Sequence, residues 1–294
     1  MPVPSEGLTE KEGKSFLMAA SEPTAHRFMD LRVPEYAYMF GFLQADGHLE
    51  RGPGQKGRLT VEISVRDVGI LREFQRLTPY YSSVTERTRS TNFAETHISA
   101  TWTLCALAAR SRINELGLPY GRKSHTIEPP RAPVSARDYV RGLIDADGSV
   151  GITKAGFPFV SVTTASEAIG AYIRSYAQQL TGAERTLKRN TRDGIYNILY
   201  TKENGQRLAA DLYYPGSLSL ARKQAAAGVL SRWVRPADMR IAPQRKRWTK
   251  EEDRVLLRLS NDTEAASVLG RTEKSCLIRR WRLRNGLTAS TTSQ

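Results

Sequence analysis

The chain has 294 residues, enough for about two domains. Lysine and arginine number 44 against 30 aspartates and glutamates, a formal charge of +14, while 40% of residues are apolar and 25% charged. That is too much apolar material for a disordered polycation, and the charge points to a polyanionic partner, most often nucleic acid. No run approaches the ~20 apolar residues of a membrane helix, and two cysteines, Cys105 and Cys276, are too few for a disulfide scaffold or a tetrahedral zinc site. The opening MPVPSEGLTEKEGK has no apolar signal core, which makes a bacterial or phage cytosol the expected setting, an organelle being the alternative.

Residues 1–33 are polar and read as a loosely ordered arm. From about Pro34 the apolar periodicity is sustained, and it contains a repeat: FGFLQADGHLE at Phe40 to Glu50 returns as RGLIDADGSVG at Arg141 to Gly151. Asp46 and Asp147 lie 101 positions apart, and a later Arg-Lys pair recurs with Lys123 and Lys223 100 apart. The repeat divides the region into halves at 34–132 and 133–232. In each half an apolar helix ends at the Asp-Gly pair. A hairpin with glycine or proline follows, at Arg51 to Gly57 and Thr153 to Pro158. In RLTVEISV, Leu59, Val61, Ile63 and Val65 alternate with polar residues, the period of a half-buried strand. A helix follows near Gly69 to Leu77, or Ile169 to Leu180. A second hairpin comes next, turning in the second half at Asp193-Gly194. A last helix, near Thr103 to Gly117 or Gly205 to Tyr213, leads into the Arg-Lys pair. The expected order is αββαββα, twice.

The repeated helix carries small residues four apart, Gly41 with Ala45 and Gly142 with Ala146. They share a face and let two backbones approach closely. Gly47 and Gly148 suit left-handed C-terminal caps. Just before each stands Asp46 or Asp147, an acid that opposes the helix dipole. Two such acids brought together repel. The arrangement becomes reasonable when a divalent cation binds between them, with the carbonyls of Ala45 and Ala146 as further hard oxygen ligands. Mg2+ binds in this way, through one or two carboxylates and substrate phosphate.

GLIDADG, Gly142 to Gly148, resembles the signature of the LAGLIDADG homing endonucleases, and Met39 to Gly47 is a looser copy with Gln44 at the sixth position. The resemblance covers about 200 residues and is of the single-chain, two-motif type. It implies an α+β fold of two pseudo-symmetric halves with antiparallel, saddle-shaped sheets. It implies metal ligation by Asp46 and Asp147, catalytic lysines at Lys123 and Lys223, and an active-site water oriented by Asp67, whose counterpart is Ser166. The implied reaction is Mg2+-dependent hydrolysis of both DNA strands, with Mn2+ as a substitute, leaving short 3′ overhangs. The implied partner is double-stranded DNA with a long, partly degenerate target, bound by a monomer. An RNA-splicing maturase on the same scaffold and a non-catalytic DNA-binding regulator are the alternatives.

Strands lie readily in the major groove. The polar hairpin faces supply candidate contacts: Arg58, Thr60, Glu62, Ser64 and Arg66 on one strand, Arg87 and Arg89 on another, and Lys188, Asn190 and Arg192 in the second half.

Residues 233–246 read as a basic linker, with five basic residues and two prolines between Val234 and Arg247. Residues 247–288 read as three short helices and 289–294 as a disordered tail. Thr249 and Glu252 form a capping-box pattern, Val255, Leu256 and Leu259 an apolar stripe, and Thr263 and Thr272 open the next helices. Leu277, Trp281 and Leu283 are expected inward. The segment resembles the Myb/SANT-like helix-turn-helix family, with WTKEED as its opening and Trp281 as its last core aromatic. From Arg232 onward 15 basic residues face 7 acidic ones. The third helix would enter the major groove with Lys274, Ser275, Arg279 and Arg282.

Overall fold

The computed structural model describes residues 24–91, 94–237, 239 and 248–286, with backbone alone for the strand residues at 89–97. It divides into two compact units, Met1–Arg235 and Pro236–Gln294. Most of the expected arm and linker and the whole tail lie outside the described residues. Two boundaries shift. Phe28, Met29 and Leu31, placed in the arm, are buried in the core. Trp233 and Arg235, placed in the linker, belong to the first unit: the Trp233 indole donates to the Gly156 carbonyl at 3.0 Å, and Arg235 pairs with Glu203. Among the described residues no helix is long and apolar enough to cross a membrane.

The first unit is organised on two helices, α1 (Pro34–Asp46) and α4 (Ala136–Asp147). α1 is buried from Tyr36 to Gln44, as a helix apolar on nearly every side requires, and Pro34 pre-sets its first turn. A β-carbon on Gly41 would stand 2.3 Å from the Tyr139 carbonyl oxygen, and one on Gly142 would stand 2.2 Å from that of Tyr38. The contact is reciprocal, backbone on backbone, and only glycine fits on either side.

In the first half β1 (His48–Leu49), β2 (Leu59–Ser64), β3 (Ser82–Thr91) and β4 (Ala94–Leu104) form an antiparallel sheet in the order β1-β2-β4-β3. α2 (Val68–Leu77) lays Ile70, Leu71, Phe74 and Leu77 inward, and Phe74 meets Trp102 edge-on. α3 (Leu107–Glu115) begins later than expected because Thr103 and Leu104 pair within β4. It carries Arg110, fully buried, whose guanidinium donates to the carbonyls of Cys105, Glu50, Gly52 and Gly54 and so shapes the loop between β1 and β2.

The second half has β5 (Gly148–Ile152), β6 (Pro158–Thr164) and β7 (Tyr196–Thr201) in the order β5-β6-β7, with α5 (Glu167–Thr181), α6 (Lys202–Leu212) and α7 (Ala221–Leu230). The expected fourth strand does not form. Between Arg185 and Arg192 only Leu187 is apolar, so the segment has no alternating face to bury, and a single bridge joins Arg189 to Tyr196. The Asp193-Gly194 turn does form, with Gly194 at φ 70°.

The second unit is three helices, α8 (Lys250–Arg258), α9 (Asp262–Leu269) and α10 (Glu273–Arg284). Thr249 and Glu252 make the capping box, α9 is capped by Asn261 rather than opening at Thr263, and Thr272 caps α10. Leu256, Ala265 and Cys276 form a small core. Leu277 and Trp281, expected inward, are each 57% exposed. The inward line of α10 is Cys276, Arg280 and Leu283, because the Arg280 guanidinium turns in to the carbonyls of Leu256 and Leu259 and to the Asp262 carboxylate.

Gly41→Ala or Gly142→Ala forces α1 and α4 apart. Each should cost stability at or above the top of the ~1–3 kcal/mol typical of overpacking, read as a lowered midpoint in urea. The same change at the open Gly228, where a β-carbon meets nothing within 4 Å, should not.

Candidate functional site

The α1–α4 contact sets the tips of the two helices side by side. Neither Gly47 nor Gly148 is a left-handed cap: both are extended, at φ −71° and −113°, because the chain passes directly into a strand. Glycine is needed there for space instead, since a β-carbon would stand 2.5 Å from the Leu43 carbonyl at Gly47 and 2.5 Å from the Ser161 carbonyl at Gly148.

Asp46 and Asp147 both reach solvent, and their charges act on each other. Desolvation by the surrounding protein, and then the Asp46 charge, push the Asp147 carboxyl up to about 6, against the pull of Lys123 and Lys223. Desolvation also raises Asp46, with the same two lysines opposing it. Two hard carboxylates at a solvent-facing junction, each held above its ordinary range, suit a divalent cation that would replace their protons. Among the described residues no group of three or more acidic, histidine or cysteine side chains adds to them. Such a site leaves coordination positions for water and phosphate.

One lysine comes from each half, Lys123 to the end of α1 and Lys223 to the end of α4. Lys123 Nζ donates to the Ala45 carbonyl at 2.5 Å, so one of the two expected metal-ligand carbonyls is engaged. Ala146, the other, sits half-buried in the last turn of α4. Lys223, only 2% exposed, donates to the carbonyls of Ile144, Asp145 and Gly148 at 2.6, 2.7 and 2.8 Å. Desolvation lowers both amines, Lys223 to about 8. Asp67 lies near Lys223, and both its oxygens accept from Arg222 Nε, at 3.2 and 3.0 Å. Ser166 is a buried cap of α5, accepting from the Ile169 N–H and donating to the Ile127 carbonyl.

A cross-helix clasp completes the centre, and the sequence reading missed it. The Tyr38 hydroxyl on α1 donates to Asp145 Oδ2 on α4 at 2.7 Å, and the Tyr139 hydroxyl on α4 donates to Gln44 Oε1 on α1 at 2.5 Å. The signal was available: both tyrosines stand three residues before the contact glycine, 101 positions apart.

Of the expected strand contacts, Arg58, Glu62, Arg66 and Arg87 are exposed and Thr60 and Ser64 half-buried. Arg58 pairs with Glu50 at 2.7 Å. The Arg89 side chain lies outside the described residues. Lys188 and Arg192 are exposed, whereas Asn190 accepts from the Arg192 N–H and binds Asp193, holding its own turn. In the second unit Lys274 and Arg282 are exposed and Ser275 half-buried. Arg279 is held by both oxygens of Asp253, at 2.7 and 2.6 Å, and is not a free contact.

Residues 135–213 match the family described as the LAGLIDADG-like domain. The matched stretch holds α4 with Asp147 and ends before Lys223. No curated protein sequence matches the chain. Among solved structures, the homing endonuclease I-WcaI bound to its DNA recognition sequence is similar at 13% identity and a TM-score of 0.47, over 67% of this chain and 87% of that one. Mesophilic variants of the homing endonuclease I-DmoI give 13% and 0.44 over 67% and 97%. The meganuclease I-SmaMI bound to uncleavable DNA gives 9% and 0.43 over 71% and 90%.

An acid raised above its unfolded value destabilises the fold progressively as pH rises through the two values. For Asp147 that window runs from 3.8 to about 6. Asp147→Asn should therefore raise the Tm of the metal-free protein at pH 7.5, and the gain should vanish near pH 4; a loss of stability at pH 7.5 would contradict the assignment.

Proposed function

We propose that this chain is a divalent-metal-dependent, site-specific DNA endonuclease of the LAGLIDADG type, in which one monomer carries both motif helices. The observation that carries the reading is the glycine-on-backbone contact of α1 and α4, which brings Asp46 and Asp147 to one solvent-facing junction. The family match over residues 135–213 supports the second half of it. The net charge of +14 suits a DNA partner.

Asp46 and Asp147 would hold Mg2+, or Mn2+ in its place, with the Ala146 carbonyl beside them. When bound, the ion supplies Lewis-acid polarisation of the phosphate and a more acidic water. In the hydrolysis a water oxygen bonds to phosphorus and the bond from phosphorus to the 3′ oxygen breaks. The electron pair stays on that oxygen, which takes a proton from solvent while the attacking water gives one up to solvent, leaving a 5′ phosphate and a 3′ hydroxyl. Cuts staggered across the minor groove would leave the short 3′ overhangs. A lysine beside the junction stabilises the growing negative charge. The exposed polar faces carrying Arg58, Glu62, Arg66 and Arg87, with Lys188 and Arg192, would read a long target in the major groove.

The second unit is read as a Myb-like helix-turn-helix module that docks α10 on DNA through Lys274 and Arg282. The three-helix order, the capping box and the exposed basic side chains support this; the outward Trp281 departs from the family pattern.

Asp46→Asn and Asp147→Asn should each lower Mg2+-dependent cutting of a duplex selected from a randomised library by about 100-fold or more. Binding of that duplex in EDTA should stay within a few-fold of the wild-type chain. Undiminished cutting by both variants, or rescue of intron splicing with no duplex cut, would overturn the reading.

A chain ending at Arg235 keeps the Glu203 and Gly156 contacts of the first unit. It should bind the selected duplex about 100-fold more weakly by gel shift, as expected when a tethered second module is lost, with turnover at saturating DNA unchanged. Equal affinity would remove the DNA-binding role of the second unit.

A further inference from the structure

Helix α10 of the second unit turns its polar side inward and part of its apolar side out. The inward line, Cys276, Arg280 and Leu283, falls at i, i+4 and i+7. The Arg280 guanidinium is fixed there by the carbonyls of Leu256 and Leu259 and by the Asp262 carboxylate. With that line buried, Leu277, Ile278 and Trp281 lie on the outer face and are 57%, 41% and 57% exposed. A single exposed apolar side chain is ordinary, but three on one face of a 12-residue helix form a patch.

The surroundings of the patch are basic. Lys274, Arg282 and Arg284 are exposed, and among the described residues no acidic side chain pairs with them. Glu251, Glu252, Asp253 and Asp262 are each engaged by an arginine elsewhere in the unit, and α10 itself carries one acid, Glu273, in its first turn. A second copy docked on this face would set like charges against each other. The major groove of DNA offers the complement: phosphates on its walls for the basic groups and, on its floor, the C5-methyl of thymine, an apolar group on a base edge. At about 12 Å the groove admits an α-helix.

We propose that the outer face of α10 reads thymine by its methyl group. Leu277, Ile278 and Trp281 pack on thymine methyls in the major groove, while Lys274, Arg282 and Arg284 hold the flanking phosphates. The second unit then selects a thymine-bearing part of the target by apolar contact rather than by paired hydrogen bonds to base edges. The inference rests on the reading of the second unit as a DNA-docking module and is independent of the cutting centre.

The test uses the full chain in EDTA, where binding is read without cleavage, and a duplex selected by binding from a randomised library. Each thymine of that duplex is replaced in turn by uracil, which removes the methyl group and keeps every hydrogen-bonding atom. A cluster of thymines should emerge at which each replacement weakens binding about fourfold, the scale of one buried methyl group. Trp281→Gln and Ile278→Gln should make binding indifferent to uracil at that cluster, with the dependence on salt unchanged. Lys274→Gln should do the reverse, keeping the preference for thymine and lowering the slope of log affinity against log salt by about 1. Photocrosslinking covers the case in which a variant fails to fold: 5-bromouracil placed at the cluster should crosslink the wild-type chain within α10, as read by mass spectrometry. Binding by the wild-type chain that ignores uracil everywhere, a cluster still sensitive to uracil in both apolar variants, or crosslinks confined to the first unit overturns the inference. Undiminished binding by both variants overturns it too and leaves the face to a protein partner. A chain that shows this preference and cuts no duplex overturns the nuclease reading alone.

Discussion

The close approach of α1 and α4 is the constraint from which the rest of the first unit follows. With glycine on each side, the carbonyl of Tyr38 meets Gly142 and that of Tyr139 meets Gly41, so the helices touch through backbone rather than side chains. At that distance the tyrosine hydroxyls reach across to the opposite helix, and the two aspartates at the tips cannot avoid each other. A larger residue at either glycine would relax all three features at once.

The sixth position of each motif shows how the clasp ties each helix to the segment that carries its lysine. Gln44 gives its amide hydrogens to the carbonyls of Gly117 and Glu128, which flank Lys123, and takes the Tyr139 hydroxyl on its oxygen. Asp145 accepts from Tyr38, from the Tyr213 hydroxyl and from the Leu220 N–H, which precede Lys223. An amide suits the first half because carbonyls there need a donor. A carboxylate suits the second because every partner is a donor. The departure from aspartate at Gln44 is therefore a matched change of chemistry rather than a loss.

The arrangement is costly to the isolated protein. Two acids sit at helix C-termini, where the dipole repels them, and each raises the free energy of the other. Lysines at the helix-end carbonyls offset part of this, and a cation and a phosphate backbone would remove more. The site is thus under electrostatic strain in the isolated protein, and the cation and phosphate of the proposed function would relieve it.

The repeat at 101 residues, the paired Asp-Gly ends, the small residues four apart, the alternation in β2 and the capping box at Thr249 are local patterns, and each could be read directly because local spacing decides which residues share a face. What needed the third dimension was the choice among partners. Nothing local says that Arg110 is buried on four carbonyls, that Arg279 belongs to Asp253, or that Arg280 displaces Trp281 from the small core. The different depths of Lys123 and Lys223 likewise depend on what packs behind them. Periodicity fixes direction along a helix or strand, but a hydrogen-bonding group is satisfied by whichever chain segment folding brings within 3 Å, and that is decided only when the whole unit closes.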